Sequence, residues 1–205
     1  MIHSLWLAPL VAVLFGCAAF LIVQLSDVLC RDVRPFDDGP PGGKPPTMLL
    51  IAGAAALGGL ITVQGTSLPQ LLLVAILASA LVGCWYCDVR VGIVPDYFTL
   101  VPLGVFFMLA VSVHDWATIE SSIAVTIPFA AAAAFSRGRG MGWGDVKLVA
   151  LLGAALGLQT AIVTLSVACI VAVLVAFARR RRRDPIAFAP YLVTAMALGL
   201  TFNAL

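Results

Sequence analysis

Arg137-Gly138-Arg139-Gly140-Met141-Gly142-Trp143-Gly144-Asp145-Val146-Lys147-Leu148 is the stretch on which the reading of this chain turns. Glycine falls at every second position from 138 to 144, and a lone aspartate then opens an apolar run. Glycine lacks a Cβ, so such a loop can take positive φ angles and admit a close backbone approach. A carboxylate at the mouth of an apolar segment is costly to place and reads first as a functional group. The plain alternative is a flexible loop with a solvated aspartate at its exit. A second aspartate upstream, Asp88, favours function, because it stands at the edge of another apolar segment in the same way.

Outward from that stretch the chain is apolar almost throughout. Of its 205 residues 62% are hydrophobic and 11% charged, where a soluble domain would be about a quarter charged. Mean hydropathy is +1.09, and runs of about 20 apolar residues, enough to cross a bilayer, recur along the length. The expected fold is therefore all-α: a polytopic membrane helix bundle of about eight transmembrane segments, forming one integral membrane domain over 1–205. The segments fall at about 4–26, 47–64, 68–88, 97–113, 118–135, 145–157, 159–178 and 186–204. The sixth is the shortest, and at ~1.5 Å per residue it falls short of a ~30 Å hydrocarbon core. It either starts below the interface or merges with the seventh through Gly157. Met1-Ile2-His3-Ser4 supplies no basic residue ahead of the first segment, so that segment is expected to persist as a span rather than be cleaved.

The basic residues give the orientation. All twelve fall in four places: Arg31, Arg34 and Lys44; Arg90; Arg137, Arg139 and Lys147; and Arg179 to Arg183. With eight spans these lie on one side, and the other side holds His3, His114, Asp115 and Glu120 without a lysine or arginine. The positive-inside rule then puts the basic loops in the cytoplasm and both termini outside. The proline-rich stretch 30–47 reads as a short cytoplasmic connector. Arg179 to Arg183 reads as a stop-transfer anchor on anionic lipid, and no nucleic-acid partner is expected.

In this topology Asp88 and Asp145 both map to the cytoplasmic face. Two carboxylates held together cannot both ionise cheaply, so they share a proton. The ionised member can take a proton from water while the protonated member polarises a carbonyl. That is the chemistry of aspartic peptide hydrolysis, and it requires no metal.

The residues also carry a family resemblance. Gly142-Trp143-Gly144-Asp145-Val146-Lys147-Leu148 resembles the G-x-G-D-V-K-L signature of the type IV prepilin leader peptidases, which are GxGD intramembrane aspartic peptidases. Asp88, followed by the Val94-Pro95-Asp96 turn, resembles their other aspartate and its I/L-P-N/D turn. Pro185-Ile186-Ala187-Phe188-Ala189-Pro190-Tyr191-Leu192 is similar to the family's last segment, with Ala187 and Ala189 replacing residues usually bulkier or glycine. The resemblance covers about 70–200, with a peptidase core over 68–204. It implies catalytic roles for Asp88 and Asp145, and supporting or substrate-binding positions at Gly142, Gly144, Lys147 and Pro95. It further implies a prepilin-like pilin, pseudopilin or Flp-type substrate, cut after a small residue at the cytoplasmic boundary of the inner membrane.

Full-length bacterial members carry a cytoplasmic domain after the first span, with two C-x-x-C pairs for zinc and an N-methyltransferase activity. Here the 30–47 connector stands in that place and holds Cys30 alone. A short form is expected, with no metal, no cofactor and no methyl transfer. It is similar to the peptidase-only members that serve tight-adherence pili and to the archaeal preflagellin peptidases; the eight-span count favours the bacterial long-form lineage. Presenilin-like proteases share the G-x-G-D loop, but their Pro-Ala-Leu triplet is missing.

Other residues have plainer readings. Cys84 and Cys87 lie on one helix face and act as small hydrophobes; the five cysteines imply no disulfide framework. Asp96 after Pro95 reads as a helix cap. Lys147 either faces Asp145 and the substrate or snorkels to the interface. Trp85, Tyr86 and Trp143 read as interfacial anchors. The competing functional classes are a non-enzymatic pilus or secretion assembly subunit and a small transporter. The transporter fits poorly, because its pathway needs acids at several depths and here they cluster at the segment ends. Oligomeric state has no sequence signal.

Overall fold

The computed structural model describes residues 2–31, 46–135, 142–178 and 188–203. Among them are seven α-helices and no strand: α1 (Ile2–Arg31), α2 (Thr47–Val63), α3 (Leu68–Val91), α4 (Asp96–Ser112), α5 (Trp116–Phe135), α6 (Trp143–Ala178) and α7 (Ala189–Asn203). The all-helical expectation holds. Most of the connector at 30–47, the loop residues Arg137 to Met141, Arg179 to Arg183 and the start of the Pro185–Leu192 motif lie outside the described residues.

Four helices are long and apolar enough to cross a membrane: Trp6–Cys30, Leu68–Val91, Trp116–Phe135 and Trp143–Ala178. Thr47–Val63, Asp96–Ser112 and Ala189–Thr201 are apolar but shorter. Large hydrophobic side chains stand exposed along these helices, among them Leu14, Leu21, Leu72, Ile127, Val173 and Phe177. In water such surface would drive association, whereas hydrocarbon solvates it at no cost.

The chain divides into two units, Met1–Gly92 with Leu200–Leu205, and Ile93–Gly199. In the first, α1, α2 and α3 pack on one another. Their buried cluster is Ala19 and Val23 of α1, Leu50 and Ala54 of α2, and Val82 and Tyr86 of α3, flanked by Ile22, Ile51 and Trp85. Helix α3 begins with a capping box: Ser67 N–H donates to Gln70 Oε1 at 3.1 Å, and Pro69 occupies the first turn. Its far end is closed by Gly92 at φ 72, ψ 21, a left-handed conformation that glycine adopts without strain. The Gly92 amide donates to the Asp88 carbonyl at 2.9 Å. At ~1.5 Å per residue α3 runs about 36 Å, a full span, and its last turn carries Asp88.

In the second unit α6 is central. Leu148, Val149, Leu151 and Leu152 are fully buried, with α4 and α5 packed against it. Against α5 the backbones nearly touch: a Cβ at Gly153 would lie 2.8 Å from Ser122 Cα. Ser121 Oγ donates to the Gly153 carbonyl at 2.9 Å and Ser122 Oγ to the Ala150 carbonyl at 2.8 Å. Such hydroxyl-to-carbonyl bonds hold helices together where apolar surface alone gives little preference.

The sixth and seventh predicted segments both fall within Trp143–Ala178, as two helical stretches that meet at a kink. Gly157, at φ 72, ψ 168, is non-helical, so the residue read as a possible junction is the kink between those two stretches. Four helices meet span length, and three of the expected spans are short helices.

Candidate active site

Asp88 lies one turn before the end of α3 and is 8% exposed. A carboxylate near a helix C-terminus faces the negative pole of the aligned peptide dipoles. The helix dipole therefore gives no reason for an acid at this position. The turn that carries it is braced on both sides. Arg90 is ion-paired with Asp27 of α1. Tyr86 Oη donates to Asp27 Oδ1 at 2.9 Å, and Arg90 Nη1 donates to Tyr86 Oη at 2.9 Å. The guanidinium also stands 5.8 Å from the Tyr86 ring centroid. Beside this network the buried thiols of Cys30 and Cys87 meet at 3.1 Å.

Asp145 belongs to the second unit, in the first turn of α6. It stands three residues after Gly142, which precedes the helix. The Gly142 backbone amide hydrogen-bonds the Asp145 carboxylate. This is the reciprocal half of a capping box, and the acid sits at the favourable pole of the dipole. Its side chain is half-buried. Asp145 thus has a structural task as well as a chemical candidacy.

Gly144 explains why glycine is needed in this loop. A Cβ built there would stand 2.9 Å from Val94 Cβ and 3.7 Å from Val94 Cα. The Val94-Pro95-Asp96 turn therefore lies directly on the first turn of α6. Pro95, at φ −66, ψ 138, precedes α4 in extended backbone and leads the chain into that helix. Gly142, Gly144, Asp145 and Lys147 are close in sequence, and the Val94-Pro95-Asp96 turn far upstream is brought against them in the second unit.

Two expectations need correction. Asp96 does not cap α4, whose start at Pro95 has no side-chain cap bond. Its Oδ1 instead takes Lys147 Nζ at 2.5 Å. Lys147 accordingly spans from α6 to α4, a third role beside the two expected of it. In the sequence Asp27 stands in no motif, Arg90 marks orientation, and Tyr86 reads as an interfacial anchor. The available signal was modest: Tyr86 and Arg90 are spaced i, i+4 on a helix face, and Asp27 is an acid at the end of an apolar run. Among the described residues no group of three or more His, Cys, Asp or Glu side chains is arranged to hold a metal ion.

These observations define a membrane-type helical protein with two acids set at helix ends. The sequence model of the type IV leader peptidase family matches residues 75–177, which include Asp88, the Val94-Pro95-Asp96 turn and the Gly142–Leu148 motif. Two relatives from Burkholderia pseudomallei, of strains 1026b and K96243, are each named prepilin leader peptidase/N-methyltransferase. Each is 34% identical over 190 residues, covering 85% of this chain and 58% of its own length. The chain thus spans a little over half the length of the curated relatives it matches. No solved structure matches it. The chain belongs to the type IV leader peptidase family.

Proposed function

We propose that this chain is an intramembrane aspartic endopeptidase that removes the leader from type IV prepilin-like precursors at the cytoplasmic boundary of the inner membrane. The observation that carries the reading is Asp88. It is a buried carboxylate at the unfavourable end of a helix, within the part of the chain that matches the family. The names of the two relatives support the same substrate class.

In this mechanism Asp88 and Asp145 act together on one water. One carboxylate, ionised, takes the water proton as oxygen attacks the scissile carbonyl. The other, protonated, donates to the carbonyl oxygen. As the tetrahedral intermediate collapses, the first passes the water proton to the departing amine and the second takes a proton back from the intermediate's hydroxyl. A pair sharing one proton is competent only when singly protonated, so cleavage falls at both acid and alkaline extremes in a bell-shaped profile. The substrate's basic leader lies in the cytoplasm and its apolar helix in the bilayer. Gly142 and Gly144 leave room for its extended backbone, while Lys147 and Pro95 hold the wall of the site. The topology is eight spans with both termini outside, and α6 contributes two of them on either side of Gly157.

The connector at 30–47 holds Cys30 as its one cysteine, too little for a zinc-bound methyl-transfer domain. Leader removal without methylation follows. Incubated with a prepilin-like peptide and S-adenosylmethionine, the purified protein should release a product with a free N-terminus, and chelators should leave the rate unchanged. A product heavier by one methyl group, or inhibition by chelators, would contradict this form of the reading.

A further inference from the structure

The turn of α3 that holds Asp88 needs a restraint that its own backbone does not supply. Helix ends fray, and the Gly92 cap closes the backbone of the last turn without tying it to a neighbouring helix. A group that moves protons must be held to within about 0.5 Å of its working geometry. Residues 86 to 90 make up one turn with Asp88 at its middle. Its two ends are tied together by the bond from Arg90 Nη1 to Tyr86 Oη. The same turn is tied to α1 by the Arg90–Asp27 ion pair and by the bond from Tyr86 Oη to Asp27 Oδ1. All three members are partly screened from solvent: Tyr86 is buried, and the Arg90 and Asp27 side chains are 33% and 25% exposed. The guanidinium fork can serve a carboxylate and a phenol together, and it stacks on the ring it bonds to. The Cys30–Cys87 thiol contact packs the flank of the same seam, so the α1 side is fixed at more than one point.

We propose that Asp27, Arg90 and Tyr86 form a clamp that positions Asp88 for proton transfer, making the end of α1 part of the working site. Asp27 lies outside the 75–177 region that matches the family, so the family match does not point to it. None of the three is a catalytic residue; each acts through the placement of Asp88. The inference rests on the proposed function, since it assigns Asp88 a chemical role.

The test uses the full chain in detergent or bilayer with a prepilin-like peptide, comparing the parent, Asp88→Asn, Asp27→Asn, Arg90→Gln, Tyr86→Phe, and the charge exchange Asp27→Arg with Arg90→Asp. A positioning role lowers kcat by about tenfold to a hundredfold in Asp27→Asn and Arg90→Gln. KM should stay within about twofold, because substrate contacts are unchanged. Tyr86→Phe, which removes one hydroxyl and leaves the packing, should lose less than either. The charge exchange should recover most of the lost kcat. A packing role alone would lower the yield of folded protein while leaving kcat per folded molecule at the parent value, and that result overturns the clamp. So does an effect confined to KM, or a charge exchange as slow as the single variants. If Asp27→Asn and Arg90→Gln do not fold, Tyr86→Phe and the exchange decide the question by the same criteria. A parent that cleaves nothing overturns the proposed function, and the clamp with it. A parent that cleaves, with Asp88→Asn inactive and the clamp variants at full kcat, overturns the clamp alone.

Discussion

Lys147 Nζ stands 2.5 Å from Asp96 Oδ1, joining the first turns of α6 and α4. Together with the contact between Gly144 and Val94, it ties the Val94-Pro95-Asp96 turn to the segment that carries Asp145. The aspartate that reads as a helix cap in sequence is thus the partner of a lysine. Its role is to hold two helix starts together.

Because the Lys147 and Asp96 side chains are 33% and 58% exposed, their pair should contribute only about 0–1 kcal/mol. Asp96→Asn is expected to shift thermal unfolding little and to leave leader cleavage within a few-fold of the parent. Unfolding monitored by circular dichroism and a cleavage assay on the same sample check this. A loss as deep as that of Asp88→Asn would move the upstream acid into the turn.

Gly144→Ala and Gly142→Ala should separate cleanly. Alanine ordinarily favours a helix over glycine, so propensity alone predicts a gain at 144. There, however, the new methyl would meet Val94 Cβ at 2.9 Å and push the turn away. Activity should fall by roughly tenfold or more through misplacement of the site. At 142 the methyl would stand 3.6 Å from Asp145 Oδ2, an ordinary contact. Replacing a glycine N-cap by alanine should cost about 1 kcal/mol or less of stability, with a smaller loss of activity than at 144. Equal losses at the two positions, measured as kcat per folded protein, would contradict the packing argument.

The orientation is tested by single cysteines in a cysteine-free parent. Positions near Gly138 and Arg182 should react with an impermeant maleimide only from the cytoplasmic side. Positions near Thr66 and Asp115 should react only from outside. The expectation rests on all twelve basic residues falling on one side of the predicted topology. External labelling at Gly138 would place the glycine loop on the wrong face for a leader peptidase.

What was legible in the sequence was what depends on local composition. Apolar runs gave the helical class, and Leu68–Val91 and Trp116–Phe135 lie close to the segments read at 68–88 and 118–135. Gly157 was legible as a possible junction, but sequence does not say whether the two helical stretches kink there. Its backbone angles do. The Asp96–Lys147 pair joins residues 51 apart, and Tyr86 reaches Asp27 across 59 positions. Periodicity and capping rules describe neighbours along the chain, so neither pairing could be read from them. For Asp96 the local rule pointed to a helix cap, and a tertiary partner took the carboxylate instead. Gly144 is an intermediate case: its glycine was legible as a sign of close approach, its neighbour Val94 was not.

The central claim is that Asp88 and Asp145 form one catalytic unit, and the most direct measurement is leader cleavage by Asp88→Asn, Asp145→Asn and the double variant. Asparagine nearly preserves shape, and its amide oxygen can still accept the Gly142 bond that Asp145 receives. Each single variant should therefore fold and insert while cleavage is abolished, and the double variant should be no worse than either one. A folded, membrane-inserted Asp88→Asn or Asp145→Asn that cleaves at near the parent rate would contradict the account.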